Sequence, residues 1–335
     1  MARLVDAKSN ELEKKEETSL RPKTLKEYVG QEDLKDNLAI FIGAAKKRNE
    51  CLDHALFYGP PGLGKTTLAY VIANEMETKV RTLSGPSIEK PGDLATILTD
   101  LEPGEVLFID EIHRLPRIVE EVLYEAMEDF TISIIVNRET SAKTLSVPLQ
   151  PFTLIGATTR AGDLSAPLRA RFGIAEKINF YTVEQIQDIV KRTAKVFNAT
   201  IDDEASYEIA KRSRGTPRIA NRLFRRVRDF ANFDNRNDIT LFDATRALSA
   251  LKVDPLGLDD VDIRYLKTII ERYKGGPVGL EAIASAIGEE STNLEDVYEP
   301  YLIQIGFIDR TPKGRMVTQK AYSHLKIDHQ DVLFK

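Results

Sequence analysis

Short apolar blocks alternate along this chain with stripes of helical period. Leu34, Leu38, Ile42 and Ala45 recur between Leu34 and Lys46 at the spacing of one buried helix face. Ala55-Leu56-Phe57-Tyr58 is too short for a helix and runs into a Gly-rich turn, so it predicts a buried strand. Val106-Leu107-Phe108-Ile109 and Phe152 to Ala157 predict two more. Between these two blocks the pattern predicts a helix from Ile118 to Met127 and strands around Ile132 to Val136 and Leu145 to Val147. Strands alternating with helices predict a parallel sheet covered on both faces. Past Phe180 the period is helical, with no strand expected before Phe307. A linker is expected at Val253-Asp254-Pro255-Leu256-Gly257, where Pro and Gly interrupt the period. Asn10 to Ser19 is polar and aperiodic and reads as a flexible leader.

Length adds that 335 residues exceed what one core usually serves, so two or three domains are expected. No apolar run approaches the roughly 18 residues a membrane span needs. The N-terminal charges alternate in sign and lack the apolar core of a signal peptide, and Cys51 is the one cysteine, which points to the cytoplasm. A net charge of −5 excludes a generally basic surface, so any nucleic-acid contact must be local. Two segments can supply it: Lys211 to Arg228 has eight basic residues and no acidic ones, and Asp309 to Lys326 has five against one.

The candidate chemistry begins at Gly59-Pro60-Pro61-Gly62-Leu63-Gly64-Lys65-Thr66, which fits G-x-x-x-x-G-K-[ST] between a strand and a helix. Gly62 and Gly64 leave backbone N–H groups open to a phosphate chain, and the helix N-terminus adds partial positive charge. Lys65 then reaches the β- and γ-phosphates, and Thr66 offers its hydroxyl to Mg²⁺. Asp110-Glu111 closes an apolar strand 45 residues after Lys65, at the edge of a parallel sheet where ligands collect. Asp110 is assigned to the metal and Glu111 to the general base. His113 reads equally as a coupling residue and as a structural one. Gly156-Ala157-Thr158-Thr159-Arg160 follows the third strand, where a hydroxyl can position water or touch a phosphate. Pro167-Leu168-Arg169-Ala170-Arg171-Phe172-Gly173 offers an arginine in a short turn, which reads on its own as a surface salt bridge, although a guanidinium also suits a γ-phosphate.

Thr216 and Pro217 read as N-cap and first turn of a helix whose buried stripe is Ile219, Leu223 and Val227. Arg218, Arg222 and Arg225 are expected on its exposed face. Near the C-terminus Thr292 and Glu295 suggest a capping box, followed by a hairpin of Phe307-Ile308 and Arg315 to Thr318, together a winged helix. Glu295, Asp296 and Glu299 are expected on the exposed face of its third helix, where they would repel phosphates, so Arg310, Lys313 and Arg315 of the wing are the DNA-binding candidates. A protein-docking winged helix fits the same pattern.

Taken together these motifs resemble the AAA+ ATPases and, within them, the RuvB family of bacterial Holliday junction branch-migration motors. Leu20-Arg21-Pro22, Gly30-Gln31, the phosphate loop, Leu107 to Arg114, Gly156 to Gly162, Arg169 to Gly173 and Lys211 to Ile219 carry the likeness, which spans Leu20 to Leu325. The resemblance implies an α/β P-loop ATPase domain at 1–181, a small all-α lid at 182–252 and a winged-helix head at 255–335. It implies that Thr159 senses the γ-phosphate, that Arg171 is an arginine finger serving a neighbour's site, and that Arg218 is the lid sensor. Leu20, Arg21, Thr67, Glu128, Asp129, Phe130 and Tyr181 match positions around ATP or ADP, and Arg310 and Arg315 match DNA contacts. It further implies a homo-hexamer on double-stranded DNA at Holliday junctions in recombination and repair. RuvA would dock on the hairpin at about 131–148, and a RuvC-type resolvase would join the larger complex. The sequence departs from the family at Asn137-Arg138-Glu139-Thr140-Ser141, where relatives have a Gly-rich tip, and at Ser291, where some carry a DNA-contacting arginine. Two alternatives stay open: a nucleotide-gated, clamp-loader-like or regulatory subunit, which the base Glu111 disfavours, and a sequence-reading DNA binder, which the acidic third helix disfavours.

Overall fold

The computed structural model describes residues 20–138 and 141–328. The expected leader, Asn10 to Ser19, and Glu139 and Thr140 of the hairpin tip lie outside them. The described chain forms two compact units, one of residues 21–59 and 63–179, the other of residues 20, 60–62 and 180–328.

The first unit is built on a five-stranded parallel sheet in the order β2-β3-β6-β1-β7, with β1 Ala55–Tyr58, β2 Val80–Ser84, β3 Val106–Asp110, β6 Thr153–Thr158 and β7 Ile174–Lys177. The three strands expected from continuous apolar runs are the central ones. β6 is buried along its whole length, as a strand covered on both faces must be. The two edge strands, with sequences VRTLS and IAEK, were not expected from the pattern, because an edge strand is half solvated and carries polar residues. Since β6 lies between β3 and β1, the C-terminal ends of three adjacent strands meet along one edge. The helix Arg117–Asp129 leads into the antiparallel hairpin of β4 Thr131–Arg138 and β5 Ser141–Pro148. Buried His54 holds the floor of this unit: its Nδ1 accepts from Leu154 N at 2.9 Å and its Nε2 faces Met127 O at 3.0 Å.

In the second unit the helices Val183–Val196, Asp203–Lys211, Pro217–Phe233 and Leu241–Ala250 pack together, tied by two-residue strands Thr200–Ile201 and Asp238–Ile239. Beyond the turn at Asp254 come the helices Asp260–Tyr273 and Leu280–Ile287 and a third helical stretch from Ser291 to Gln304 with a π-helical turn at Leu294–Tyr298. The antiparallel wing of Ile308–Thr311 and Gly314–Val317 follows. Tyr265, Tyr298, Leu266, Ile269, Ile283 and Leu302 fill a core of their own. The winged helix is thus present, and several details differ from expectation. Thr216 precedes the helix Pro217–Phe233 but makes no side-chain cap; its hydroxyl donates to Arg214 O instead. No Thr292–Glu295 capping box forms, because the helix already begins at Ser291 and Glu295 turns toward the wing. The expected exposed arginine face does not form: Arg225 is buried and Arg218 and Arg222 are half-buried, and Glu299 is fully buried rather than displayed to solvent.

Candidate active site

Backbone conformation creates the phosphate loop. Gly62 has φ of 78°, and a Cβ on it would lie 2.9 Å from Thr216 Cγ2 and 3.0 Å from Arg218 Cβ, so glycine is required both by conformation and by space. Arg218 N donates to Gly62 O at 3.4 Å. This contact holds Arg218, the expected lid sensor, at Gly62. Tyr181, another expected nucleotide neighbour, is buried and donates from its N to Gly215 O at 2.9 Å.

In the sheet unit, Gly64 precedes the helix Lys65–Glu75, whose first residues are Lys65, Thr66 and Thr67, the positions expected to meet phosphate and metal. Lys65 is buried and its Nζ donates to Gly59 O at 2.7 Å. Burial pulls its ammonium down to about 8, and the charges of Glu111 and Asp110 oppose that fall. Arg21 stacks on the Tyr70 ring of the same helix with Cζ 4.4 Å from the centroid.

Asp110 ends β3, and Glu111 takes a left-handed conformation with φ of 49°. That turn swings its carboxylate across to β6, where Glu111 Oε2 accepts from Thr159 Oγ1 at 3.2 Å and Thr159 N at 3.4 Å. His113 Nδ1 stands 3.2 Å from the same oxygen and 3.0 Å from the buried Thr158 hydroxyl, which itself accepts from Arg160 N at 2.9 Å. Burial pushes the Glu111 carboxyl up, but His113, Lys65 and the Thr159 N–H outweigh it and hold the group below its ordinary value. Glu111 is therefore an ionised carboxylate with one oxygen clamped, while Oε1 has no hydrogen-bond partner among the described residues.

Lys65, Asp110, Glu111 and Thr159, chosen from sequence, thus share one sheet edge. His113, read equally as a coupling and as a structural residue, lies between Glu111 and the Thr158 hydroxyl. Thr158 stands in the same strand-end string as Thr159, whereas Gly85, which follows the unrecognised β2, had no sequence signal. A Cβ on Gly85 would sit 2.4 Å from Glu111 O, so this glycine lets the base segment pack close.

Arg171 belongs to a different cluster. Its Nη2 donates to Glu128 at 2.9 Å, Nη1 to Pro167 O at 3.0 Å and Nε to Tyr124 O at 3.3 Å, with Cζ 4.8 Å from the Tyr124 ring centroid. Ser165, which caps the preceding helix Ala166–Ala170, donates to buried Glu120 at 2.6 Å, and Tyr124 donates to the same carboxylate at 3.1 Å. Glu128 and Asp129 are exposed beside this arginine, whereas Phe130 packs on Phe152 and His54. The wing arginines are paired too: Arg310 and Arg315 both bond to Glu299, while Lys313 is exposed at the turn.

The donors present fit a nucleotide and a hard cation: a glycine-lined loop, a buried amine, and the hydroxyl and carboxylate oxygens of Thr66 and Asp110, which suit an ion that retains water and phosphate ligands. Among the described residues no cluster of three or more His, Cys, Asp or Glu side chains forms a self-sufficient metal cage, and no helix is long and apolar enough to cross a membrane.

Comparison with known proteins extends the likeness beyond these residues. The family model for the Holliday junction DNA helicase RuvB P-loop domain matches residues 20–178, that for the RuvB AAA lid domain 181–254, and that for the RuvB C-terminal winged helix domain 255–326. The chain is 58% identical over 318 residues to the Holliday junction branch migration complex subunit RuvB of Pediococcus pentosaceus, covering 95% of this chain and 94% of that protein. It superposes on the Thermotoga maritima RuvB Holliday junction branch migration motor with a TM-score of 0.85 at 52% identity, covering 92% of this chain and 99% of that one. A mutant form of the Thermotoga protein gives 0.86 at 53% identity over the same shares. With three successive domain models matched and identity above half over nearly its full length, this chain belongs to the RuvB family.

Proposed function

We propose that this chain is the ATP-hydrolysing motor subunit that drives branch migration at Holliday junctions. The observation that carries the reading is the sheet edge where buried Lys65 follows β1 and the clamped, ionised Glu111 follows β3, on either side of β6. A protein that merely switched on nucleotide binding would not need such a base. In this reading the loop N–H groups and Lys65 hold the phosphates, and Thr66 and Asp110 hold Mg²⁺. When bound, ATP and Mg²⁺ supply the scissile bond and the cation charge that stabilises its transition state. Glu111 orients the attacking water and takes its proton, Thr159 couples that carboxylate to the γ-phosphate, and Arg218 reports nucleotide state to the lid. Leu20, Arg21, Thr67 and Tyr181 surround the nucleotide. Arg171, paired with Glu128, serves the site of the next subunit in a homo-hexameric ring, and Glu128, Asp129 and Phe130 lie around the nucleotide there. The working divisions are an ATPase domain at 1–181, a lid at 182–252 and a head at 255–335, whose Arg310, Lys313 and Arg315 grip duplex DNA. The hairpin of β4 and β5 is the docking element for RuvA, with a RuvC-type resolvase in the larger assembly, and the complex works in the cytoplasm.

Glu111→Gln keeps size and hydrogen bonding but removes the base. It is expected to bind nucleotide normally, to lose steady-state hydrolysis by about 100-fold or more, and to stop dissociating a synthetic four-way junction in the presence of RuvA. Wild-type turnover by this variant would refute the assignment.

A further inference from the structure

The wing arginines already hold an anion, and it comes from the protein. Glu299 is 0% exposed; its Oε2 accepts from Arg310 Nε at 2.8 Å and from Arg310 Nη2, and its Oε1 accepts from Arg315 Nε at 3.0 Å and from the Tyr265 hydroxyl at 2.7 Å. Burial and the Glu299 carboxylate push the Tyr265 phenol upward, so it remains a donor to that oxygen. One turn earlier, Glu295 places Oε1 3.3 Å from Arg310 Nη2 and 3.5 Å from Arg315 Nη2. The two carboxylates differ in kind. Glu299 is walled in by the core and cannot leave without stranding two guanidinium groups, whereas the Glu295 side chain is 31% exposed and the Arg310 side chain 43% exposed, with longer and weaker contacts. The four charges sum to zero, so in this arrangement the wing offers DNA little net field.

A backbone phosphate has the chemistry of the Glu295 carboxylate: anionic oxygens that accept from guanidinium N–H groups. We propose that Glu295 is a displaceable stand-in for a DNA phosphate, seated between Arg310 and Arg315 until duplex DNA takes its place, while Glu299 holds both guanidinium groups in position. Glu295 thereby sets how tightly the head grips DNA. A weaker grip suits a motor that must release each phosphate to advance. This inference rests on the reading that Arg310 and Arg315 contact DNA.

The test is equilibrium binding of the full-length protein to a fluorescent four-way junction across a salt series. Glu295→Gln removes the competing charge and keeps the shape, and is expected to tighten binding by about two- to fivefold, the scale of a partly exposed ion pair. The slope of log affinity against log salt is expected to stay unchanged, because the number of phosphates contacted is the same. Glu281→Gln, which removes an exposed acid from another helix of the same head, is expected to leave affinity unchanged. If Glu295→Gln binds no tighter while Arg310→Ala and Arg315→Ala bind more weakly, the stand-in role is wrong and the DNA-contact reading survives. Equal tightening by Glu281→Gln would reduce the effect to net charge and overturn the proposal. If neither arginine variant weakens binding, the underlying reading of the wing fails.

Discussion

Lys65 shows how placement alone changes the chemistry of a side chain. A lysine in water keeps its proton far above neutrality, but burial brings this one down to about 8 despite the nearby charges of Glu111 and Asp110. Phosphates favour the ammonium, so above pH 8 nucleotide binding must take up a proton. Affinity for a fluorescent nucleotide is therefore expected to be flat below about pH 7 and to fall as pH rises through 8, by at most about tenfold per unit. Lys65→Arg, which stays charged, should lack that dependence even if it binds more weakly; the same decline in the variant would place the titrating group elsewhere. At this scale the sequence was most legible where chemistry is encoded by a contiguous motif. The phosphate loop and Asp110-Glu111 could be read because each is a local string at the end of an apolar block. The clamp on Glu111 could not, since Thr159 and His113 converge on it from different loops. Arg225 and Glu299 were misplaced for a related reason. Charged residues are usually exposed, and only the partners brought by the fold, such as the wing arginines on Glu299, reveal the exceptions.

The elements of the second unit are joined by charges that the sequence presented as loose. The run from Lys211 to Arg228 contains no acid, yet Arg212 pairs with Glu208 from the turn before it, and Arg214 pairs with Asp262 from a helix beyond the linker. Arg214 adopts φ of 54°, which directs its guanidinium to Asp262 and to Gly257 O at 2.7 Å. Asp262 lies in the first turn of Asp260–Tyr273, and Asp259 caps that helix through Val261 N at 2.9 Å and Asp262 N at 3.2 Å. The pair thus links the turn that presents Arg218 to the start of the winged helix. Both partners are nearly or wholly buried, so breaking the pair strands a charge. Asp262→Ala is expected to cost about 3–5 kcal/mol in chemical denaturation, whereas the double change Arg214→Met with Asp262→Leu should recover most of that loss. A single substitution costing under about 1 kcal/mol would show the bond to be incidental. Sequence reading found the helices here by period and the linker by its Pro and Gly. It missed β2 and β7 in the sheet because edge strands need no continuous apolar run, and it could not see a bond between residues 48 positions apart.

Arg171 raises the question of the whole assembly. Within one chain its guanidinium is engaged by Glu128, Tyr124 and Pro167, a set that fixes its direction, and it makes no bond to Glu111 or Thr159. An arginine so held and yet apart from its own sheet-edge site fits a group presented to another subunit. Head-to-tail interfaces of a closed ring supply such a neighbour at every position. The consequence is a complementation experiment. Lys65→Ala destroys the site of its own subunit but leaves its Arg171 to serve the next, and Arg171→Ala does the reverse. Each variant alone should be inactive. Mixed in equal amounts and allowed to assemble, about a quarter of interfaces then pair an intact Lys65 with an intact Arg171. ATPase activity should therefore recover to roughly a quarter of wild type where sites act independently, and to less where neighbours must fire together. Light scattering on the same mixture reports whether rings have formed. Recovery that rises and falls with the mixing ratio, peaking near equality, is the signature of a shared site. Rings of full size with no recovery at any ratio would return Arg171 to the role its sequence context first suggested, an ordinary ion pair with Glu128 on the surface of a single subunit.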